Sequence, residues 1–396
     1  MFIELHLLQN FAPSNLNRDD TGAPKDCEFG QHRRARISSQ CLKRTAREFV
    51  RDEELLPAAA RATRSRRFVQ ELVQRMKAQG KNEEEARRVV TTALGGIELK
   101  VDEKNQTEYL LYLGQRELDQ LATECLNHWD ALSAASAQSV EGEAGAGGKK
   151  KGAKKAAKDA VPADVQKALK AALDGRRAAD LAMYGRMLAD LPGRNVDAAS
   201  QVAHAISTHR VSMEFDYYTA VDDLNKEDAG AGMIGTTEFN SACYYRYSNV
   251  DFDQLIDNLG DAELAREALR AYLRASVMAV PTGKQNSFAS PTPPALVLAV
   301  VRDAGLWSLA NAFERPVRAD DAEGLMEKSV RALDQHFGQL RALYGDYSGI
   351  RQAFVATLHR DSLQALQEAQ VGSVPDLVES VVNEIIPADG SNGGAR

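Results

Sequence analysis

The pattern of apolar and polar positions changes period several times along the 396 residues of the chain. Residues 2–8 alternate in part between apolar and polar side chains, which predicts a strand. After a polar loop, Leu42, Ala46 and Phe49 recur at helical spacing, and one of the two serines before them is expected to cap the helix. From about 52 to 185 the period is helical, with a break at a glycine-rich and lysine-rich stretch that predicts a solvated loop.

Aromatic and β-branched residues return between 206 and 250, on both sides of a turn-rich stretch, and predict a long β-hairpin. The other predicted elements are an amphipathic helix from Asp261 to Val280, a buried strand at 295–301, helices at 319–344 and 361–385, and a frayed tail at 388–396. This order of elements indicates the α+β class, as a sheet domain interrupted by a helical domain.

Composition narrows the classes of protein. The chain has 49 Lys and Arg against 56 Asp and Glu, a net charge of −7, which excludes a polycation that coats nucleic acid non-specifically. The four cysteines include no C-x-x-C pair, which argues against a disulfide framework or a zinc knuckle. Because the chain shows neither a membrane-spanning apolar run nor a signal-peptide pattern, we expect a soluble, cytoplasmic protein.

The distribution of charge is more informative than its total. Residues 25–51 have a net charge of +5, residues 61–67 of +4 and residues 149–158 of +6. The rest of the chain therefore carries −22. An acidic body with three basic segments favours binding of a polyanion at a local site.

The strongest candidate site is the first basic segment. On a helix that starts near Ser39, Lys43, Arg47 and Arg51 form one stripe beside the apolar stripe. The start of a helix also offers free backbone N–H groups, and serine hydroxyls add further donors. The segment therefore suits backbone phosphates, although a solvated basic helix face would have the same pattern.

The other candidate patterns are weaker. The cluster at 64–67 is typical of a solvated helix end, and the lysine run lacks the spacing of a phosphate-binding loop. The lysine run suits non-specific duplex contact or a linker without a partner. Tyr217 and Tyr218 suit base stacking or ordinary core packing.

Signals for catalysis are poor. Asp19-Asp20 and Asp222-Asp223 are adjacent carboxylates that suit Mg²⁺, but such pairs in turns are typical of caps and solvated loops. His204 and His209 have no third ligand nearby for a zinc site. We therefore expect no metal site, no cofactor and no enzyme activity.

Three closely spaced motifs lie at Pro13–Asp20, Pro24–Gly30 and Arg33–Arg44. Further motifs follow at Gly185–Met187, Ala203–His209, Tyr218–Leu224, Gly235–Phe239, Tyr245–Tyr247, Pro281–Gln285 and Leu309–Glu314. In this order they resemble the CasC family, the CRISPR-RNA-binding backbone subunits of the type I-E Cascade complex. The resemblance spans nearly the whole chain and is weakest across 52–180 and in the tail.

The resemblance implies a modified ferredoxin-like (RRM-like) palm with an inserted helical fingers domain and a β-hairpin thumb. It assigns residues 1–51, 181–208 and 240–387 to the palm, 52–180 to the fingers, 209–239 to the thumb and 388–396 to a disordered tail.

The resemblance also implies two sets of nucleic-acid contacts. The guide-RNA contacts are Asn17, Arg18, Lys25, Ser38, Ser39, Gln40, Lys43, Arg44, Arg47, Arg67, Arg186, Met187, Tyr217, Tyr218, Thr219, Lys284 and Gln285. The lysine run resembles fingers lysines that contact duplex DNA, which are Lys149, Lys150, Lys151, Lys154, Lys155 and Lys158 here.

The function implied by the resemblance is a scaffold. Several copies would assemble head-to-tail on one guide RNA, with other Cascade subunits, and each thumb would displace every sixth nucleotide while the rest pairs with target DNA. Two alternatives stay open. One is a metal-dependent endoribonuclease that uses a loop aspartate, as in related type III backbone subunits, with Asp19, Asp20 or Asp26 in the comparable region. The other is a generic single-stranded-RNA-binding protein.

Overall fold

A computed structural model describes residues 1–143, 160–220, 224 and 233–385. The chain divides into two compact units. The sheet unit comprises Met1–Leu55, Ser200–Phe252 and Leu269–Arg396, and the helical unit comprises Leu56–Ala199 and Asp253–Ala268. The α+β class predicted from the sequence is confirmed, with an antiparallel main sheet.

The helices and strands follow one another in an irregular order. They are β1 (Phe2–Ser14), β2 (Asp26–Phe29), β3 (His32–Ile37), α1 (Ser39–Asp52), β4 (Ala62–Ser65), α2 (Phe68–Ala78), α3 (Glu83–Gly96), β5 (Leu111–Gly114), α4 (Gln115–Asn127), α5 (Trp129–Glu143), α6 (Ala163–Ala171), α7 (Ala179–Tyr184), β6 (Ser200–Val202), β7 (Ala205–Ser207), β8 (Glu214–Thr219), β9 (Ile234–Asp251), α8 (Phe252–Leu259), α9 (Ala262–Met278), α10 (Gln285–Phe288), β10 (Leu296–Arg302), α11 (Leu325–Tyr344), β11 (Ile350–Thr357) and α12 (Val374–Glu384).

The main sheet is organised around the long strand β9. The strand order is β11-β10-β1-β9-β7-β3-β2, and β6 and β8 also pair with β9. The second half of β9 pairs with β1, from Asp251 opposite Phe2 to Ala242 opposite Phe11. Its first residues pair with β8, so one strand runs continuously from the body of the sheet into a hairpin.

Both faces of the main sheet are covered within the sheet unit. On one face Leu8, Tyr245 and Leu298 pack with Leu333 and Phe337 of α11. The other face has a second core, which includes Phe11, Ile37 and Tyr244 together with Leu42 of α1. Apolar burial of this kind contributes about 25 cal/mol per Å² of apolar surface, so it holds α1 firmly against the sheet.

The first strand is longer than predicted. The alternation ends at residue 8, but β1 continues to Ser14, with a shift in the ladder between Phe11 and Ser14. The polar residues and Pro13 in this segment are typical of a loop. They are tolerated because the ladder is irregular where the proline, which has no N–H, occurs.

The helical unit contains a strand pair that the helical period does not reveal. β4 and β5 pair antiparallel, with Ala62 opposite Gly114 and Ser65 opposite Leu111. The prediction of helix throughout 52–185 is therefore wrong at these two short segments. The rest of the core is helical, with Leu72, Val90 and Leu121 buried together.

The C-terminal prediction needs a larger correction. Of residues 361–385, only Val374–Glu384 form an α-helix, with Ser373 as its N-cap and a proline in the first turn. Before it, the buried Asp334 carboxylate accepts from the backbone N–H groups of Gln364, Ala365 and Leu366 at 2.9–3.0 Å. These long-range bonds stabilise an irregular segment there, while β11 occupies 350–357. The predicted tail at 388–396 lies outside the described residues.

None of the described helices combines the length and the hydrophobicity of a transmembrane segment.

Candidate nucleic-acid interface

The start of α1 is fixed by side-chain hydrogen bonds. The Ser38 hydroxyl accepts from the Cys41 N–H at 3.4 Å, so the predicted serine cap is confirmed at Ser38. The Ser38 N–H in turn donates to Asn17 Oδ1 at 2.8 Å. The Asn17 side chain therefore ties the loop after β1 to the N-terminus of α1, where backbone N–H groups favour an anion.

The loop between β1 and β2 brings Lys25 to the same place. The Lys25 N–H donates to the Asn17 carbonyl at 2.8 Å, and the Arg36 N–H donates to the Lys25 carbonyl at 2.9 Å. Arg36 also lies 2.9 Å from His204 Nδ1. Burial lowers the pKa of His204, and the charges of Arg36 and Lys25 lower it further, so His204 is a neutral partner beside two cations.

The basic stripe of α1 lies beside its buried face. Leu42 and Ala46 are buried, and Lys43 and Arg47 are half-buried. Burial lowers the pKa of the Lys43 ammonium, since its charge is poorly hydrated. Arg44 is different, because it is 76% exposed and forms an ion pair with Glu48 at 2.8 Å.

The loop that carries Lys284 packs against the backbone of Asn15 and Leu16, in the segment after β1. A Cβ at Gly283 would clash with the carbonyl oxygens of Asn15 and Leu16, so only glycine allows this approach. Lys284 follows in a left-handed conformation with φ of 51°. Beside this loop lies a cavity of about 370 Å³ whose walls include Leu16, Gln285 and Phe288.

Within the sheet unit, the structure therefore brings together several residues that are far apart in sequence. Asn17, Lys25 and the cap at Ser38 are joined by hydrogen bonds, and the loop of Lys284 packs on the backbone next to Asn17. Arg18 forms a bridge with Pro24 in the same loop, while Ser39 and Gln40 open the first turn of α1. The backbones that carry Lys25, Lys284 and the first turn of α1 therefore lie next to one another.

The predicted stacking residues lie on the exposed hairpin of β8 and β9. Tyr217 is 62% exposed and pairs with Thr236, and Tyr218 pairs with Gly235. Because neighbouring residues of a strand point to opposite faces, Tyr217 shares a face with Thr219, and Tyr218 lies on the other. A Cβ at Gly235 would overlap the Tyr218 ring, so this ring lies across the glycine.

Sequence reasoning missed one member of this surface. Phe215 is 68% exposed and lies two residues before Tyr217, hence on the same face. The alternation of Phe215 and Tyr217 with Glu214 and Asp216 was the available signal. Most of the hairpin tip, residues 221–223 and 225–232, lies outside the described residues, as does the pair Asp222-Asp223.

The helical unit holds three of the predicted guide contacts. Arg67 is exposed at the start of α2 and lines a cavity of about 310 Å³ with Arg87 and Lys104. Met187 is 82% exposed. Both side chains are accessible, as a contact with RNA requires.

The predicted RNA contact of Arg186 is contradicted by the structure. Its side chain is buried, and its Nη1 donates to both oxygens of Glu117 at 2.7 and 2.8 Å. Further bonds run to the carbonyls of Arg194, Tyr112 and Leu173. A guanidinium saturated in this way does not contact RNA, so the predicted role of Arg186 is wrong and its role is structural.

The predicted DNA contacts, Lys149, Lys150, Lys151, Lys154, Lys155 and Lys158, lie outside the described residues.

Two of the acidic candidates, Asp19 and Asp26, have other partners. Asp26 forms an ion pair with Arg33. Asp19 Oδ1 accepts from the Thr21 N–H and hydroxyl and from the Ala23 N–H, which is the geometry of a turn cap. Over residues 1–143, 160–220, 224 and 233–385, no group of three or more His, Cys, Asp or Glu is placed to hold a metal ion.

The matches to known proteins cover nearly the whole chain. Residues 3–383 match a family model described as CT1975-like protein. A chain of a solved "CRISPR RNA-guided surveillance complex, pre-nicking" is 31% identical, with a TM-score of 0.77, over 97% of this chain and 100% of that one. A chain of a second "CRISPR RNA-guided surveillance complex" is 28% identical, with a TM-score of 0.69 and the same coverage. No curated protein matches the sequence.

Proposed function

The chain belongs to the CT1975-like protein family, and on that premise we propose that it is the guide-RNA-binding backbone subunit of a type I-E CRISPR surveillance complex. Its similarity to chains of RNA-guided complexes supports a backbone role of the Cascade type. We propose that its partners are the guide RNA, target DNA, further copies of itself and other subunits of the complex.

The observation that carries this proposal is the cluster in the sheet unit. The capped start of α1, the Lys25 loop and the Lys284 loop have neighbouring backbones, which supports the proposal that their lysines and backbone N–H donors bind one RNA strand. Phosphates along one strand are recognised by such donors without regard to base sequence. Guide bases would thereby stay free to pair with target DNA, which reads the sequence.

We propose the RRM-like palm at residues 1–51, 181–208 and 240–387, the helical fingers at 52–180 and the β-hairpin thumb at 209–239. We propose head-to-tail assembly along the RNA, because a heterologous interface that does not close builds a filament. We also propose that the lysines between 149 and 158 contact target DNA.

The experiment that tests the proposal is identification of the RNA that co-purifies with the expressed complex. We expect RNA of one length class that carries CRISPR repeat sequence, with several copies of the chain per molecule in sedimentation or electron microscopy. Mixed cellular RNA with one copy per molecule would instead identify a generic single-stranded-RNA-binding protein.

The two faces of the hairpin yield a prediction. If the face of Phe215 and Tyr217 is the wedge, Tyr217→Ala should remove about 1–3 kcal/mol of stacking on a displaced base. Guides with 2-aminopurine at each position would report this as a loss of the six-nucleotide period in fluorescence. Tyr218→Ala is the matched variant on the opposite face. An unchanged period in both variants would exclude the hairpin as the wedge.

The nuclease alternative yields a second prediction. Because Asp26 is held by Arg33, it is a poor ligand for Mg²⁺, and we expect no cleavage of complementary RNA by the loaded protein. The assay compares the parent chain with Asp26→Asn in the presence of Mg²⁺. Periodic products that disappear in the variant would establish the nuclease function.

A further inference from the structure

A second cavity of the sheet unit lies away from the start of α1. It has a volume of about 330 Å³, and its walls include His32, His209, Arg210, Val317, Arg318 and Leu325. His32 begins β3, whereas Ser38 follows its last residue. At about 3.3 Å per residue, the two ends of this strand are roughly 17 Å apart, so the cavity is distinct from the cluster at α1.

The backbone around this cavity is fixed by long-range hydrogen bonds. The Val211 N–H donates to the Arg33 carbonyl at 3.0 Å, and the Val317 N–H donates to the Thr208 carbonyl at 3.0 Å. Arg210 and Arg318 are the chain neighbours of these two valines. The backbone at both arginines is therefore held in place by hydrogen bonds of the neighbouring valines.

The side chain of Arg34 joins two of the segments near this cavity by hydrogen bonds. It is fully buried, and its guanidinium donates to the Ser207 carbonyl at 3.0 Å and to the carbonyls of Phe313 and Glu314 at 2.7 and 3.0 Å. These bonds join β7 to the segment that leads to Arg318. Arg34 belongs to the basic segment of the sequence, but its role is to build this wall.

His209 also fixes the wall and adds no charge. Its Nε2 accepts from the Cys243 N–H at 3.3 Å, so its Nδ1 carries the proton and donates to the Arg210 carbonyl at 2.9 Å. Burial lowers the pKa of His209, and the charge of Arg34 lowers it further. The imidazole is therefore neutral and holds the backbone of Arg210.

The cations of the cavity lack an internal anion. Among the described residues that line it none is acidic, and in that part of the chain neither Arg210 nor Arg318 forms an ion pair. Two acids of the adjacent loop have other partners, since Asp320 pairs with Lys328 and Glu323 with Arg331 at 2.7 Å. Arg210 and Arg318 are exposed and line the same cavity, and two like charges in one cavity favour an external anion there.

The size and the lining of the cavity limit the class of anion that it can bind. Guanidinium groups bind phosphate through paired N–H donors, and Val317 and Leu325 give the cavity an apolar wall. A volume of about 330 Å³ is at the lower end of the range for small-molecule sites. We propose that this cavity binds the phosphate of a single nucleotide, with Arg210 and Arg318 on the phosphate and the apolar wall beside the nucleoside.

The test is calorimetric titration of the full chain with adenosine 5′-monophosphate, inorganic phosphate and adenosine. We expect the monophosphate to bind at least tenfold more tightly than adenosine. Arg210→Gln and Arg318→Gln should each weaken that binding at least tenfold. Arg341→Gln, which removes an exposed arginine at the far end of α11, is the matched control and should bind normally.

A second pair of probes separates the possible sources of the phosphate. Tighter binding of a 5′-phosphorylated trinucleotide than of the free monophosphate would assign the site to an RNA end, and the reverse order to a free nucleotide. Either order supports the proposal if the two arginine variants weaken it. Absence of binding, equal binding of adenosine, or unchanged affinity in both variants with an unchanged melting temperature would overturn it. Guide RNA retention in the same variants reports separately on the cluster at α1.

Discussion

Replacement of Glu117 with alanine should lower the free energy of unfolding of the protein by about 3–5 kcal/mol. Glu117 and Arg186 are 0% and 1% exposed at their side chains. The Glu117 carboxylate also accepts from the Gly114 and Gly175 N–H groups at 2.8 Å, so the alanine leaves a buried guanidinium and two buried donors without their acceptor. Urea or thermal unfolding measures the loss.

Matched variants make the cause of that loss identifiable. Glu71→Ala removes a more exposed partner of Arg75 and should cost less than about 1 kcal/mol. Arg186→Met combined with Glu117→Leu should recover part of the stability, because an apolar pair leaves no uncompensated charge. An Arg186→Met variant that unfolds normally but loses guide RNA would contradict the structural role and restore the RNA contact.

Arg186 also shows where sequence reasoning fails. It lies in the motif Gly185–Met187, in which Arg186 is buried and Met187 is exposed. Arg186 and Val196 exchange backbone hydrogen bonds at 2.9 Å, as two residues of a ladder do, so Arg186 points inward while Met187 points to solvent. A motif shows that the two residues occur together but not which of them faces the core.

The same limit applies to the first strand. Glu4 and His6 form the polar half of its alternation and resemble solvent-facing residues, yet both are buried. Glu4 pairs with Arg302, almost 300 residues away, and Tyr247 donates to it at 3.0 Å. A local sequence pattern cannot predict a buried charge whose partner is so distant in the sequence.

Features set by local chemistry were predictable. The cap at Ser38 needs only a serine three residues before the N–H that it accepts from, and the structure has that bond. The hairpin follows from aromatic and β-branched residues on both sides of turn-forming residues. The strands β4 and β5 are four residues each and are separated by two helices, so their pairing had no signal in the sequence.

Lys43→Ala with Arg47→Ala should weaken guide-RNA binding by roughly tenfold or more per residue, since charged hydrogen bonds contribute about 1.5–3 kcal/mol each. Both side chains are half-buried beside the capped start of α1, and burial lowers the pKa of Lys43. A phosphate there would stabilise the charged form of the ammonium, which burial disfavours. The double variant should also make the slope of log affinity against log salt shallower by about 1.4, or about 0.7 per lost contact on a single strand.

The salt slope separates a lost phosphate contact from a damaged helix. Arg341→Ala removes an exposed arginine at the far end of α11, outside the stripe, and serves as the control with an unchanged slope. Lys43→Arg with Arg47→Lys keeps both charges and should restore most of the slope, although the geometry of each donor changes. If the double alanine variant keeps its melting temperature, its affinity and its salt slope, the stripe on α1 is a solvated face and the guide RNA binds elsewhere.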